Sequence, residues 1–191
     1  MSRAQVRLER PGPRREREFL AAVRRSRALL RPWVVAPSTA SAYRAYLRRL
    51  RRPSHDGYFV VLRASGALVG VINLSEIVQG ALQSAYLGYY AFLPHAGQGH
   101  MRAGVRLVLR RAFGRLGLHR VEANIQPGNR ASLALVRRLG FRREGFSPRY
   151  LRIAGRWRDH ERWALLRENR AIRARRSTSP ATPSGMKESR T

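Results

Sequence analysis

Cysteine is absent from the 191-residue chain, and so are long hydrophobic runs. The absence of cysteine excludes disulfide bonds, thiolate metal ligands and a cysteine nucleophile. No apolar run approaches the roughly 18 residues that cross a membrane, and the first ten residues lack the hydrophobic stretch of a signal peptide. Together with a hydrophobic fraction of 43%, these absences predict a cytoplasmic globular protein with a sizeable core and no membrane partner.

Acidic residues are scarce as well, since 11 Asp and Glu stand against 39 Lys and Arg, which gives a formal net charge of +28. Lys187 is the one lysine, so arginine supplies nearly all of the positive charge. Such an excess can indicate a nucleic-acid partner. The arginines are spread along the whole chain, however, and arginine that fills ordinary surface positions explains this distribution equally well. The charge therefore predicts non-specific contact with RNA, but it does not define a function.

Hydrophobic periodicity predicts one domain over residues 1–168, followed by a tail over 169–191. The tail is basic and then rich in Ser, Thr and Pro without an apolar period, which predicts disorder. The domain is predicted to contain a strand, two helices, three antiparallel strands, a helix, a strand, a helix and two strands. Their ranges are 5–10, 14–31 (ending at Pro32), 39–50, 58–64, 67–77, 82–93, 101–116, 119–125, 127–141, 149–155 and 156–166.

The stretch "PHAGQGHM" over residues 94–101 places two glycines where the third of these antiparallel strands passes into a helix. A helix N-terminus has unpaired N–H groups and the positive end of the helix dipole, so the junction can bind a phosphate. A turn that needs only the backbone freedom of glycine is the alternative reading.

A second motif, "NIQPGNRASLALVRRLGFRREG" over residues 124–145, contains a helix that begins after Asn129 and ends at Gly140. In this order, the two motifs and the predicted elements resemble the GNAT superfamily of acetyl-CoA-dependent N-acetyltransferases over residues 5–168. With "GRWRDHERWAL" near the end of the domain, they are similar to its RimJ/RimL-type branch, which acetylates the N-terminal alanine of ribosomal proteins.

The resemblance implies a mixed α/β (α+β) fold. Helices flank a central, mostly antiparallel sheet, and a strand–loop–helix unit binds the co-substrate acetyl-CoA. Independently of the resemblance, the crossover rule predicts that the strand over 119–125 returns parallel to 85–93 through a right-handed connection. The sequence departs from the family pattern at Ala96, where Gln or Arg is common, and at Met101, where a small residue is common. The residues implied to bind acetyl-CoA are Phe92 and Leu93 (pantetheine amides), Gly97, Gln98, Gly99, His100 and Met101 (pyrophosphate), and Asn129 (pantetheine, or only a helix cap).

Acetyl transfer needs a neutral amine, a donor to the oxyanion, and a proton or hydrogen bond for the departing thiolate. Many relatives use a tyrosine for the thiolate, but Val136 stands at that position. The RimJ/RimL-type branch places a serine three residues after the asparagine, and this position is Ser132. The resemblance therefore implies that Ser132 is catalytic. The alternative is a purely structural role, in which Ser132 takes part in capping the helix.

A carboxylate that faces the cleft is the candidate base for the amine. Glu76 lies near the end of a predicted central strand and is preferred over Glu122, which lies in the middle of a strand. If neither acid is the base, Tyr89, Tyr90 and Asn73 are candidates to orient a water molecule. Asp159 and His160 match an Asp-His pair of the family, and their role is either functional or structural. No metal is predicted, because His55, His95 and His119 lack the spacing of metal ligands.

The pKa of the acceptor amine favours one substrate class. The α-amine of a protein has a pKa of about 7.7–8.0, whereas the pKa of lysine is about 10.4. Deprotonation of the α-amine therefore costs about 3.4 kcal/mol less. A weak base therefore suits an N-terminal α-amine, which agrees with the alanine implied by the resemblance. The alternatives are a small amine such as a polyamine or an antibiotic, and a non-catalytic module that binds the ribosome or RNA.

Overall fold

The computed structural model describes residues 5–31 and 33–169, which form a seven-stranded sheet with helices on both faces. Along the chain, the strands are β1 (Val6–Glu9), β2 (Asp56–Leu62), β3 (Leu68–Val78), β4 (Ser84–Ala91), β5 (Arg120–Ile125), β6 (Arg142–Ile153) and β7 (Arg156–Leu166). The helices are α1 (Glu16–Arg25), α2 (Arg27–Leu30), α3 (Ala40–Arg49), α4 (His100–Phe113) and α5 (Arg130–Leu139), and a 3-10 turn covers Pro13–Arg15.

The strands lie in the order β1-β2-β3-β4-β5-β7-β6. β4 and β5 are parallel, and every other neighbouring pair is antiparallel. The predicted mixed, mostly antiparallel sheet is therefore confirmed, as is the parallel return of the strand that follows α4.

Two hydrophobic cores lie on the two faces of the sheet. On one face, α4 and α5 pack against alternate residues of the strands, and a Cβ built on Gly104 of α4 lies 2.6 Å from Val60 Cγ2. α4 therefore lies close to the strands at a point where only glycine fits. On the other face, α1 and α3 pack around Phe19, whose ring centroid lies 4.8 Å from that of Tyr43 and 5.7 Å from that of Phe92.

The helix predicted over 14–31 is interrupted at Ser26, which is fully buried and separates α1 from α2. The Ser26 hydroxyl accepts a hydrogen bond from the Leu93 N–H at 2.9 Å, so the break connects this region to the segment after β4. Periodicity does not reveal such a break, because the apolar spacing continues across it. Pro32, where the predicted helix ends, lies outside the described residues.

β6 begins at Arg142, seven residues before the predicted strand, and its pairing with β7 is irregular between Ser147 and Leu151. Arg149 has a φ of +48° inside this irregularity, and its N–H donates to Asp159 Oδ1 at 2.8 Å. The neighbouring β7 supplies the hydrogen bonds that make this segment a strand.

The predicted tail, apart from Asn169, lies outside the described residues, so the domain boundary stays a prediction. Over residues 5–31 and 33–169, the longest helix has 14 residues, and no helix is both long and apolar enough to cross a bilayer.

Candidate active site

The parallel strands β4 and β5 pair over three residues only, from Ser84 with Arg120 to Tyr86 with Glu122. Both strands then continue, β4 to Ala91 and β5 to Ile125, while each remains paired with its other neighbour. Beyond Tyr86 the two strands therefore separate. This leaves a wedge-shaped opening in the sheet, with unpaired backbone groups of β4 residues 87–91 along one side.

The glycine loop follows the open end of β4. Gly97 has a φ of +81° and Gly99 a φ of +80°, which few other residues adopt. A Cβ built on either glycine meets no atom within 4 Å, so the space in front of both is open. Gly99 is the N-cap of α4 without a side-chain cap bond, and the first turn carries no acidic residue. The first N–H groups of α4 thus suit a phosphate anion.

The side chains of this loop bind one another or the core. Gln98 Nε2 donates to the Pro94 carbonyl at 3.0 Å, and His100 Nε2 lies 3.2 Å from Gln98 Oε1. Met101 is 8% exposed, and its sulfur lies 2.6 Å from a Cβ built on Gly70. The departure at Met101 therefore fills the core and leaves only backbone groups of that residue for a ligand.

Phe92 and Leu93 lie just beyond the end of β4, and their N–H groups already have partners. The Phe92 N–H donates to the Val69 carbonyl at 2.7 Å, and Leu93 donates to Ser26. The Leu93 carbonyl accepts from Arg25 Nε at 2.8 Å. The unpaired strand edge next to the opening is therefore residues 87–91, earlier than the two residues assigned from the sequence.

Three predicted residues come together at the start of α5. Asn129 caps the helix, and its Oδ1 accepts from the Ser132 N–H at 3.1 Å. The Tyr89 hydroxyl of β4 donates to the Ser132 carbonyl at 3.2 Å, which joins β4 to α5 across the opening. Burial raises the pKa of Tyr89 to about 12, so its hydroxyl remains a donor at neutral pH. Ser132 is half-buried in this arrangement.

Asn124 is a residue of the opening that the sequence analysis missed. It lies on β5, two residues past the last pair with β4, and its Oδ1 is buried without a hydrogen-bond partner among the described residues. A buried unpaired acceptor costs about 1–3 kcal/mol, so a ligand or a water molecule is expected to supply the donor. The only sequence signal is a polar residue between Ala123 and Ile125, both of which are buried in the core.

The two candidate bases have different environments. Glu122 Oε1 lies 2.7 Å from Arg120 Nε, in an ion-pair cluster where Arg120 holds the pKa of Glu144 below its usual range. Glu76 is exposed, with a φ of +48° at an irregularity of β3. It follows Ser75, which pairs with Tyr86 at the start of the opening. No described hydrogen bond joins Glu76 to that group of residues, so its role stays a prediction.

Asn73 and Tyr90 lie on the sheet face covered by α1 and α3. Asn73 Oδ1 accepts from the Tyr46 hydroxyl at 2.9 Å. Tyr90 packs edge-on against Phe92, with 5.6 Å between the ring centroids, and burial raises its pKa strongly. Both side chains therefore have structural contacts in this core.

Asp159 and His160 also have structural contacts. Asp159 accepts the Arg149 N–H in the irregular part of the β6–β7 hairpin. His160 is 3% exposed, and its Nδ1 lies 2.9 Å from the Arg158 carbonyl. Burial lowers the pKa of His160, which favours the neutral ring. Within residues 5–31 and 33–169, no three His, Asp or Glu side chains cluster as a metal site would require.

A family model described as "Acetyltransferase (GNAT) domain" matches residues 6–142, a region that contains the opening, the glycine loop and α5. The chain belongs to the GNAT acetyltransferase family. Membership confirms the family, the fold class and the enzyme class, N-acetyltransferase, that the sequence predicted. It also identifies acetyl-CoA as the co-substrate of the fold.

The ribosomal protein uS5-alanine N-acetyltransferase of Escherichia coli K12 is 39% identical over 98 residues, which are 51% of this chain and 50% of that enzyme. The chain therefore spans half the length of this relative. Mycobacterium smegmatis RimJ in complex with CoA-disulfide matches with a TM-score of 0.80 and 27% identity, over 90% of both chains. Spermidine N-acetyltransferase of Vibrio cholerae, solved with CoA and spermine, shares the fold with a TM-score of 0.74 and 21% identity, over 88% of this chain and 99% of that one.

Proposed function

We propose that the protein transfers an acetyl group from acetyl-CoA to the N-terminal α-amine of a protein, with alanine as the favoured first residue. The main support for an acetyl-CoA site is the opening between β4 and β5, because β4 continues from this opening into the glycine loop. A thioester bound there supplies an activated acetyl group.

Acetyl-CoA binding rests mainly on backbone groups. The N–H groups of residues 97–101 have open space in front of the glycines and suit the pyrophosphate. The unpaired β4 edge at residues 87–91 suits the pantetheine amides, which add to the sheet as a short strand would. Asn129 uses its Oδ1 to cap α5, and its amide nitrogen is the group we assign to pantetheine.

Ser132 is the residue we assign to the leaving thiolate. Its backbone is bound on both sides, by Asn129 at the N–H and by Tyr89 at the carbonyl. These contacts fix the backbone of the first turn of α5 beside the opening. The role of the Ser132 hydroxyl is to donate a hydrogen bond or a proton as sulfur departs.

Asn124 and Glu76 are the residues we assign to the acceptor side. We assign to the buried Oδ1 of Asn124 a hydrogen bond from a ligand N–H, since this acceptor has no partner among the described residues. Glu76 is exposed and forms no described ion pair, whereas Arg120 engages Glu122. We therefore retain Glu76 as the base that receives the amine proton.

Two observations favour a protein α-amine over a polyamine. The relative from Escherichia coli that acts on ribosomal protein uS5 shares 39% identity over the matched half, whereas the spermidine enzyme shows the fold alone at 21%. The net charge of +28 also opposes the approach of a polycation. The lower pKa of an α-amine means that a weak base suffices.

Mass spectrometry of peptide products tests this proposal. We expect the full-length protein and acetyl-CoA to acetylate an alanine-starting peptide at its N-terminus. A matched peptide with a blocked N-terminus and an internal lysine should react at least about 100-fold more slowly, and so should spermidine. Faster reaction of the lysine peptide or of spermidine would overturn the assignment of the acceptor, and no acetyl transfer to any of the three would overturn the activity itself.

A further inference from the structure

A cavity of about 510 Å³ lies at the C-terminal end of α4, at the opposite end of this helix from the glycine loop. It is formed by the segment between β1 and the 3-10 turn, the end of α3, the start of β2 and the end of α4. α4 has 14 residues, so the cavity lies about 20 Å from the loop. The proposed acetyl transfer uses no residue that lines it.

Five arginines line this cavity, and they come from three separate segments of the chain. They are Arg10, Arg51, Arg52, Arg111 and Arg115. Asp56 is the only carboxylate among the lining residues, and Arg10 already forms an ion pair with it. Four positive charges thus remain without a carboxylate partner in the described part of the chain.

Two of the guanidinium groups are held in place by the same aromatic ring. Arg10 Cζ lies 4.6 Å and Arg111 Cζ lies 5.1 Å from the ring centroid of Tyr58. Tyr58 is itself 2% exposed, and its hydroxyl donates to Asp56, which is buried and bound to Arg10. The pair is therefore oriented before any ligand arrives, so less side-chain entropy is lost on binding.

The other three arginines surround the cavity as exposed side chains. Arg51 and Arg52 follow α3, whereas Arg115 follows α4. Like charges that line one cavity repel, and a bound anion relieves that repulsion while it accepts hydrogen bonds from the arginine N–H groups. Arginine presents two parallel donors that match the oxygens of a phosphate.

The size and walls of the cavity indicate the kind of anion. A volume of about 510 Å³ lies within the usual range for small-molecule sites, roughly 300–1,000 Å³. Leu47, Leu50 and Leu116 add apolar surface to the walls. A nucleic-acid duplex does not enter a concave site of this size, whereas a small phosphate ester does. We propose that this cavity binds a small phosphorylated molecule through the five arginines.

Calorimetry with inorganic pyrophosphate tests the proposal on the full-length protein, saturated with CoA so that the glycine loop is occupied. We expect one binding site, weakened about tenfold or more in the double variant Arg51→Gln/Arg52→Gln and in Arg111→Gln. The matched control is Arg110→Gln, an exposed arginine of the same helix that does not line the cavity. It should change the affinity by less than about twofold.

Arg111 also contacts the Tyr58 ring, so its variant reports on folding as well as on binding. The double variant changes only exposed side chains, so a loss of pyrophosphate affinity in this variant reports on binding and not on folding. No pyrophosphate binding, or an equal loss in Arg110→Gln, would overturn the proposal. It would also be overturned if single-stranded RNA bound through Arg51 and Arg52 and pyrophosphate did not compete, since these arginines would then form a nucleic-acid surface.

Discussion

The two ends of α4 present positive potential in different ways. At the N-terminal end, the groups that face the open space are backbone N–H groups, and two glycines at positive φ keep that space free of side chains. At the C-terminal end, the groups are guanidinium side chains gathered from three segments around a buried tyrosine. The first end depends on local backbone conformation, and the second depends on tertiary packing.

This difference determines how each end responds to mutation and salt. Backbone donors survive most side-chain changes, so we expect the proposed pyrophosphate site on the glycine loop to tolerate Ala96 and Met101 but not a side chain on Gly97 or Gly99. In the proposed anion site, each arginine should contribute separately to the binding of the anion, and salt should screen the exposed arginines.

The largest effect is expected from Gly99→Glu. The new side chain occupies the space in front of the helix N-terminus, and its negative charge repels the pyrophosphate. We expect acetyl-CoA binding by calorimetry to weaken about 100-fold or more.

The control for this variant is Gly66→Glu in the turn between β2 and β3. Gly66 has a φ of +72° and open space around a built Cβ, so the strain and the added charge are matched. If both variants bind acetyl-CoA equally well, the pyrophosphate does not lie on the loop.

Ser132→Ala should have an intermediate effect. It removes the hydroxyl assigned to the thiolate and keeps the backbone bonds of residue 132 to Asn129 and Tyr89. We expect kcat to fall about ten- to a thousandfold, with a smaller change in acetyl-CoA affinity. Ser41→Ala, at an exposed position of α3, is the control for loss of a helix hydroxyl. An unchanged kcat would remove Ser132 from the mechanism.

The smallest of the three effects is expected from Asn124→Leu. Loss of the Oδ1 acceptor should lower kcat/KM about tenfold. The variant also replaces an unpaired buried acceptor with an apolar group of similar shape, so its thermal midpoint should stay the same or rise.

Asn73→Leu is the contrasting variant, because Asn73 Oδ1 already accepts from the Tyr46 hydroxyl. Its thermal midpoint should fall, since a buried donor loses its partner. A large drop in the midpoint of Asn124→Leu with unchanged kcat/KM would show that Asn124 is structural.

The sequence predicted those features that local chemistry determines. The helix predicted over 39–50 corresponds to α3, and the hydroxyl oxygen of its N-cap Thr39 accepts the Ala42 N–H at 3.2 Å. Asn129 caps α5, and the glycines lie at the strand–helix junction, because short-range hydrogen bonds and backbone conformation decide all three.

Features that depend on distant segments were not predictable. The break at Ser26 depends on Leu93, and the early start of β6 depends on β7. The separation of β4 and β5 depends on how distant strands pair, and the arginine cavity joins residues 10 and 115. The composition shows the excess of arginine, but it does not show which arginines line the same cavity.

NMR titration of the ¹⁵N-labelled full-length protein with acetyl-CoA tests the central claim most directly. The account predicts large amide shifts at Gly97, Gly99 and the β4 edge over residues 87–91, with little change at Gly57 beside the arginine cavity. Shifts confined to the cavity residues, with the glycine loop unperturbed, would contradict it.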